Sequence, residues 1–239
     1  MVLLQERKQQ QNLKDISYAG CGLPYYVGNV ITEKEKIIVN TPQKFAALTG
    51  ANVLVGREAI HLDAANKTVT AKNLETGENE VYAYDACVIA TGASSIVPPV
   101  EGVSLEGVFT MRTPQDAENL KQYIASSGAK TAVVAGGGFI GLEVAENLQS
   151  QGLQVSVIDM APQILPGFDP ELAAYATRHL NKMGIAVLPS TKMEKITGET
   201  KATGVQTDQG LLSADIVVLS LGIRPNTAFL KDSGLEFSK

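Results

Sequence analysis

Gly136, Gly138 and Gly141 stand at G-x-G-x-x-G spacing, and Asp159 follows about 20 residues later. In such a pattern the first glycine permits a tight turn, the second lets the backbone approach a pyrophosphate, and the third lets a helix pack closely on a strand. Gly137, Phe139 and Ile140 fill the intervening positions. Backbone N–H groups across 136 to 141, with the positive end of the helix they open, are expected to hold a dinucleotide's diphosphate. A carboxylate at the end of the next strand bonds a ribose 2′-hydroxyl and repels a 2′-phosphate. Met160 rather than Arg or Lys comes next, so NAD(H) is expected in preference to NADP(H).

The second candidate is Cys21, set between Gly20 and Gly22 with Pro24 close behind. At a helix start, unpaired amides and the helix dipole would favour its thiolate, a nucleophile. The residues alone leave a reactive and an incidental cysteine equally open. Cys87, inside the apolar run ACVIA, reads as a small core residue. Neither cysteine has the spacing of a metal ligand, so no metal site is expected, and two cysteines close at most one disulfide. His61 and His179 lack a telling acidic or cysteine partner and read as packing residues. Tyr25 and Tyr26 read as cavity lining or core.

The elements that must position these groups follow from caps and periodicity. Thr131 to Ala135 is a strand running into the glycines, Phe139 to Gln151 the helix after them, and Val155 to Asp159 the next strand: a βαβ unit of an α/β fold. Thr113, Pro114 and Asp116 cap a helix from Pro114 to Ser127 that Gly128 ends. Asp169, Pro170 and Glu171 start another, to Met183, with Leu172, Ala176, Leu180 and Met183 as its apolar stripe. Thr41, Pro42 and Gly50 bracket a shorter one. Lys67 to Ala71 and Ala86 to Ala90 read as strands, residues 1 to 15 as poorly ordered, and Ser94 to Gly107 as a linker, with a domain boundary near residue 110.

Composition restricts the remaining possibilities. The chain has 239 residues, 44% of them hydrophobic, with 20 basic and 25 acidic residues and a net charge of −5. No basic stripe appears, so nucleic acid and anionic membranes are not expected partners. No apolar run is long enough for a signal peptide or a membrane span, and the default location is the cytoplasm.

Four segments, in order, carry a family resemblance. SYAGCGLPYY (residues 17 to 26) resembles the single-cysteine motif of the coenzyme A-disulfide reductases, within the flavin-dependent pyridine nucleotide-disulfide oxidoreductases. YDACVIATGAS (84 to 94) is similar to their segment beside FAD, GGGFIGLEVAE (136 to 146) to their NAD(P)H loop, and ADIVVLSLGIRPN (214 to 226) to the strand and turn closing the nicotinamide domain. The resemblance implies a Rossmann-like FAD/NAD(P)-binding fold. Residues 1–110 would be a partial FAD-binding domain lacking the first glycine-rich loop. Residues 111–239 would be a complete nicotinamide domain and the start of the return to the FAD domain, without the dimerisation domain of a homodimeric full-length relative.

By the same resemblance, Cys21 is the redox cysteine that forms a mixed disulfide with a small thiol, with Ser17 and Gly20 on the substrate side. Ala90, Thr91 and Gly92 contact FAD, as does the backbone at Glu58 and Ala59. Glu143 is the acid near the nicotinamide, and Gly222 the turn approaching the cofactor. The implied reaction passes electrons from NADH through FAD to a small disulfide, such as coenzyme A disulfide or a persulfide or polysulfide. An NADH oxidase or peroxidase, in which Cys21 cycles through a sulfenic acid, and a noncatalytic NAD-binding fragment are the alternatives. Gly20 stands where the family often has Asn, and Phe139 where many relatives place a gating Tyr. Val2 to Leu4, with Glu6, is a candidate remnant of the strand whose acid binds the FAD ribose.

Overall fold

A computed structural model of the chain describes residues 2–4, as backbone alone, and residues 16–236. The segment 1–15 and Glu6 therefore lie outside the described residues, apart from the strand Val2–Leu4, which pairs in parallel with Asn52–Leu54. Helices are numbered along the chain: α1 Leu23–Val27, α2 Pro42–Thr49, α3 Pro114–Ser127, α4 Phe139–Ser150 and α5 Pro170–Lys182.

Contacts divide the described chain into two compact units interleaved in sequence. The larger comprises Ala19–Ile37 and Ser95–Ile223. The smaller comprises residues 38–94 together with short flanking pieces, 16–18 and 224–236. The expected single boundary near residue 110 is thus not where the chain divides. The cysteine segment joins the larger unit because Leu23, Tyr26, Val27 and Ile37 are buried as α1 packs on α3 and α4.

The larger unit is built on a five-stranded parallel sheet in the order Ala186–Leu188, Gln154–Ile158, Thr131–Ala135, Ile216–Leu219, Val108–Thr110. Its three central strands are rich in small and β-branched residues and largely buried on both faces, as parallel strands must be. Val133, Ala135, Val217 and Leu219 face a core shared with Met193, Ile196 and Val205, from an antiparallel sheet of Met193–Thr197, Gly204–Thr207 and Gly210–Ser213. Alternate residues Ala132, Val134, Ile216 and Val218 are equally buried, which two-residue periodicity assigns to the opposite face, and α4 packs on the strands Thr131–Ala135 and Gln154–Ile158. From Thr131–Ala135 the chain winds outward to one side. It returns on the other side with Ile216–Leu219, so the loops leaving these adjacent strands diverge and open a crevice.

The caps explain the helix starts. Thr113 Oγ1 accepts from the Asp116 N–H at 3.2 Å while the Asp116 carboxylate accepts from the Thr113 N–H at 2.9 Å, a reciprocal capping box. Thr41 caps α2 in the same sense, and Gly50 and Gly128 end α2 and α3 in the left-handed conformation. Asp169, expected to cap α5, makes no side-chain cap bond. Of the expected α5 stripe Leu180 is buried, together with Ala173, and Ala176 and Met183 are half-buried, whereas Leu172 is 54% exposed. Residues seven apart return to the same helical face, and Leu172 lies about 100° off it.

Three other expectations are corrected. Residues 94–107 are not a free linker, because Val100, Val103 and Leu105 pack on the shared core and Gly102 lies against the Ile196 carbonyl with no room for a Cβ. The run ACVIA forms no strand, and Cys87 is exposed rather than core. A strand exists through its ladder, and among the described residues none pairs with 86–90. In the smaller unit the antiparallel sheet Arg57–Asp63, Thr68–Asn73, Asn79–Ala83 holds Glu80 against Tyr82, Arg57 and Asn73. Their hydrogen bonds bring its carboxyl down to about 2.

The parallel sheet is fastened at one end by Asp215, whose Oδ2 accepts from the N–H groups of Lys130 (2.9 Å) and Thr131 (3.0 Å) and from the Thr131 hydroxyl. The Lys130 N–H, followed by those of Thr131, holds this carboxyl below the ordinary carboxylate range despite partial burial. Its folded-state pKa is depressed, so its stabilisation is fully present above the unfolded value of about 3.9 and is lost as pH falls through the lower folded value. Asp215→Ala is expected to cost about 1–3 kcal/mol at pH 7 by leaving these donors unpaired. The difference from the parent protein should shrink steadily below pH 4 in urea unfolding.

Candidate functional site

The N-terminus of α4 differs from those of α2 and α3 in having no side-chain cap. The three glycines before and within its first turn are required for separate reasons. A Cβ on Gly136, which has φ +112, would collide with the Ser220 carbonyl, and one on Gly141 would collide with the carbonyl of Gly136. A Cβ on Gly138 would meet nothing within 4 Å, so its surroundings are open. First and third glycines set the approach of helix to strands, and the second leaves space outside the helix end.

Not every amide from 136 to 141 faces that space. The Gly136 N–H donates to the Ile158 carbonyl at 2.8 Å and the Gly137 N–H to Asp159 Oδ2 at 2.6 Å. Leu142 already returns its N–H to Gly138. The first-turn donors, which a helix leaves without an internal acceptor, are those of Phe139, Ile140 and Gly141, next to Gly138. They carry the positive end of the dipole, and an anion there satisfies both.

Asp159 follows the strand Gln154–Ile158, and its second carboxylate oxygen accepts from the Ala161 N–H at 2.8 Å. Each oxygen thus accepts one backbone donor and retains a further lone pair. The carboxylate ties the glycine turn to the next loop while remaining able to accept from a hydroxyl.

Between the diverging loops lies a cavity of about 190 Å³ lined by Gly138, Phe139, Ile140, Leu219, Ser220 and Gly222, among others. Pockets that enclose a whole small molecule run to about 300–1,000 Å³, so this one has room for about a single ring. Gly222 has φ +100, a conformation that keeps its turn close to the cavity. Phe139 is 64% exposed and meets Phe168 edge-on, ring centroids 5.6 Å apart. Ile140, Val144 and Leu148 lie four apart and so share one face of α4, but Ile140 lines the cavity while the other two are fully buried. Glu143, one turn further on, is not among the lining residues; burial, then the nearby Glu146, raises its carboxyl above the ordinary range.

Cys21 is exposed in a 3-10 turn, Gly20–Gly22, that runs directly into α1. The segment is docked by three residues the sequence did not mark. The Lys121 ammonium donates to the Tyr26 carbonyl at 2.8 Å and sits 4.0 Å from the Tyr26 ring centroid. Gln151 donates to the Gly28 carbonyl at 2.9 Å and accepts from the Asn29 amide at 2.7 Å. Asn147, buried, presses on Gly28 so closely that a Cβ there would overlap its side chain. Helix α4 therefore ends in the anion cradle at its N-terminus and in this clasp at its C-terminus.

Comparison with known proteins spans both the glycine turn and the cysteine segment. The profile of the pyridine nucleotide-disulphide oxidoreductases matches residues 7–239. The chain belongs to that family. It is 37% identical to an NADH oxidase of Methanocaldococcus jannaschii, across 95% of this chain and 50% of the relative. It is 34% identical to an NAD(P)H coenzyme A polysulfide/persulfide reductase of Pyrococcus horikoshii, across 94% of this chain and 49% of the relative. The crystal structure of reduced Bacillus anthracis CoADR-RHD superposes with a TM-score of 0.90 at 31% identity, covering 99% of this chain and 42% of that one. The chain spans about half the length of the curated relatives it matches.

The family uses FAD and NAD(P)H, and the flavin-facing expectations fall in the smaller unit. Ala90 and Gly92 are exposed and Thr91 is half-buried. Gly92 has φ +69 and open space at its Cβ position, and Asn226 pins the turn by donating to the carbonyls of Thr91 and Gly92. Glu58 and Ala59 lie on an edge strand of the antiparallel sheet, and both residues are buried. Ser17 lies in the strand Ser17–Tyr18 of the smaller unit and Gly20 in the larger. Among the described residues no group of His, Cys, Asp or Glu has the arrangement of a metal site, and His61 and His179 are exposed. Lys121, Asn147 and Gln151 left no sequence signal, because a lysine, asparagine or glutamine on a helix surface is ordinary until a partner segment is placed over it.

Two outcomes are expected. Gly138→Ala should keep thermal unfolding within a few degrees of the parent, yet weaken NADH binding by roughly tenfold or more in calorimetry, about 1.4 kcal/mol. Gly28→Ala should destabilise by about 1–3 kcal/mol through overpacking. Adding Asn147→Ala should restore part of that loss, since it removes the carboxamide that a methyl at 28 would overlap but leaves the Asn147 Cβ only 2.9 Å from it, while the φ of −73 at Gly28 suits alanine.

Proposed function

We propose that the chain is part of an oxidoreductase that takes electrons from NADH and delivers them, by way of FAD, to a small disulfide at Cys21. Coenzyme A disulfide or a persulfide or polysulfide is the substrate class. One observation carries the reading: the segment bearing an exposed cysteine is docked on the same helix whose uncapped N-terminus forms the dinucleotide cradle. Relatives named as coenzyme A disulfide reductases and a coenzyme A persulfide reductase support the substrate class.

In this reading Phe139, Ile140 and Gly141 present their N–H groups to the diphosphate, and Asp159 accepts from the ribose hydroxyl. That acid, followed by Met160, favours NADH over NADPH. Phe139 screens the cavity from water, and Glu143 is the acid beside the nicotinamide, its carboxyl raised by burial. Ala90, Thr91 and Gly92, with the backbone at Glu58 and Ala59, hold FAD, which when bound links two-electron hydride chemistry to thiol chemistry. Cys21 forms the mixed disulfide, with Ser17 and Gly20 on the substrate side. The full-length enzyme acts as a homodimer in the cytoplasm, with neither nucleic acid nor membrane as a partner. Among the described residues no helix is long and apolar enough to cross a membrane.

The full-length enzyme should bind flavin, be yellow and oxidise NADH when coenzyme A disulfide or a persulfide is present. Cys21→Ser should abolish that turnover while NADH affinity in calorimetry stays unchanged. The second reading, an NADH oxidase, rests on the similarity to enzymes of that name. NADH loss that needs oxygen but no disulfide would select it.

A further inference from the structure

The exposed face of the cysteine segment carries a second polar group. From Gly20 to Val27 the chain is continuously helical, first as a 3-10 turn and then as α1. Gly22, Leu23, Pro24, Tyr26 and Val27 are buried, and Cys21 and Tyr25 are exposed between them. The two tyrosines of the motif therefore separate: Tyr26 is 7% exposed and held under Lys121, whereas Tyr25 is 40% exposed. Among the described residues no partner takes the Tyr25 hydroxyl. The Gly20 Cβ position has nothing within 4 Å, so the space next to the thiol is open to a molecule in solution.

Residues four apart on a helix are neighbours with Cβ atoms about 5–6 Å apart, and a helical side chain leans over the turn on its N-terminal side. A tyrosine at 25 thus reaches over the position of a cysteine at 21. When a thiolate attacks a disulfide, the departing sulfur lies roughly in line and about two S–S lengths, ~4 Å, from the attacking sulfur. That distance falls within the sweep of the phenol.

Resting on the reading of Cys21 as the redox cysteine, we infer that Tyr25 is a further catalytic residue, whose hydroxyl donates a hydrogen bond to the leaving sulfur of the substrate disulfide. The Cys21 thiolate attacks one sulfur of R–S–S–R. A Cys21–S bond forms, the R–S–S–R sulfur–sulfur bond breaks, and the electron pair leaves with RS⁻. Tyr25 stabilises the charge on that sulfur as it develops, and RS⁻ then takes a proton from water. No electron is supplied from outside in this step. One half of the substrate becomes the mixed disulfide and the other the free thiol.

The test uses the chain carrying Cys87→Ser, so that Cys21 is its sole thiol, with and without Tyr25→Phe. Second-order rates are measured with cystamine, with an aromatic disulfide, and with iodoacetamide, from which iodide rather than thiolate departs. Tyr25→Phe should slow reaction with cystamine by roughly tenfold, the effect of one charge-assisted hydrogen bond. It should slow the aromatic disulfide less, since that thiolate leaves readily, and leave the iodoacetamide rate unchanged. Equal rates with and without the hydroxyl overturn the role of Tyr25 and leave Cys21 untouched. A uniform fall with all three reagents also overturns it, by showing a change in access. Failure of Cys21 to react with any disulfide in the parent overturns both this inference and the functional reading it rests on.

Discussion

Helix α4 lies where it does because Gly141 has no side chain. Its backbone sits against the Gly136 carbonyl at a separation that a single methyl would abolish, and that approach brings the first turn of α4 to the carboxyl end of the strand Thr131–Ala135. Strand order opens the crevice, and this contact sets the uncapped amides of Phe139 and Ile140 beside it, with the Gly137 N–H in reach of Asp159. A salt bridge on the surface contributes little that solvent does not already supply. A backbone-on-backbone contact in a close-packed interior has no alternative arrangement to relax into.

The same helix serves at its far end. Val144 and Leu148 bury its middle against the sheet, so that Asn147 and Gln151 project toward the chain at Gly28 and Asn29. The anchoring of the cysteine turn is divided between this clasp and Lys121, whose ammonium is partly desolvated; burial lowers its pKa. Withdrawing a charge from water is costly, and here the Tyr26 carbonyl and ring face compensate it. Cradle and cysteine are consequently tied to one rigid element rather than to flexible loops, an arrangement suited to holding reacting groups in fixed geometry.

Much of the local structure was legible in the residues. The glycine spacing, the run TAVVA and the cap sequences around Thr113 and Thr41 each state a local backbone requirement, and each was met. Local rules failed where the outcome depended on a neighbour. Residues 86–90 have the composition of a buried strand, but composition does not supply a partner for the ladder. Asp169 stands in the right place to cap α5, yet its side chain makes no cap bond. Residues 94–107, rich in proline and glycine, resemble a linker, and their apolar members Val100, Val103 and Leu105 found a core to pack on.

The sequence by itself determined the chemistry on offer: a glycine-spaced turn at 136 to 141 that opens a helix, an acid at the end of the following strand, and one cysteine flanked by glycines. These are short-range properties, fixed by residue type and by intervals of a few positions. Only the tertiary structure decided that the cysteine segment, more than 100 residues before the glycines in sequence, packs on the helix they begin. It likewise decided which of Tyr25 and Tyr26 faces solvent, and that Lys121, Asn147 and Gln151 matter to that packing. Such pairings arise from burial of apolar area between distant segments, which has no direction of its own. Polar partners become specific only after that burial has placed them within hydrogen-bonding distance.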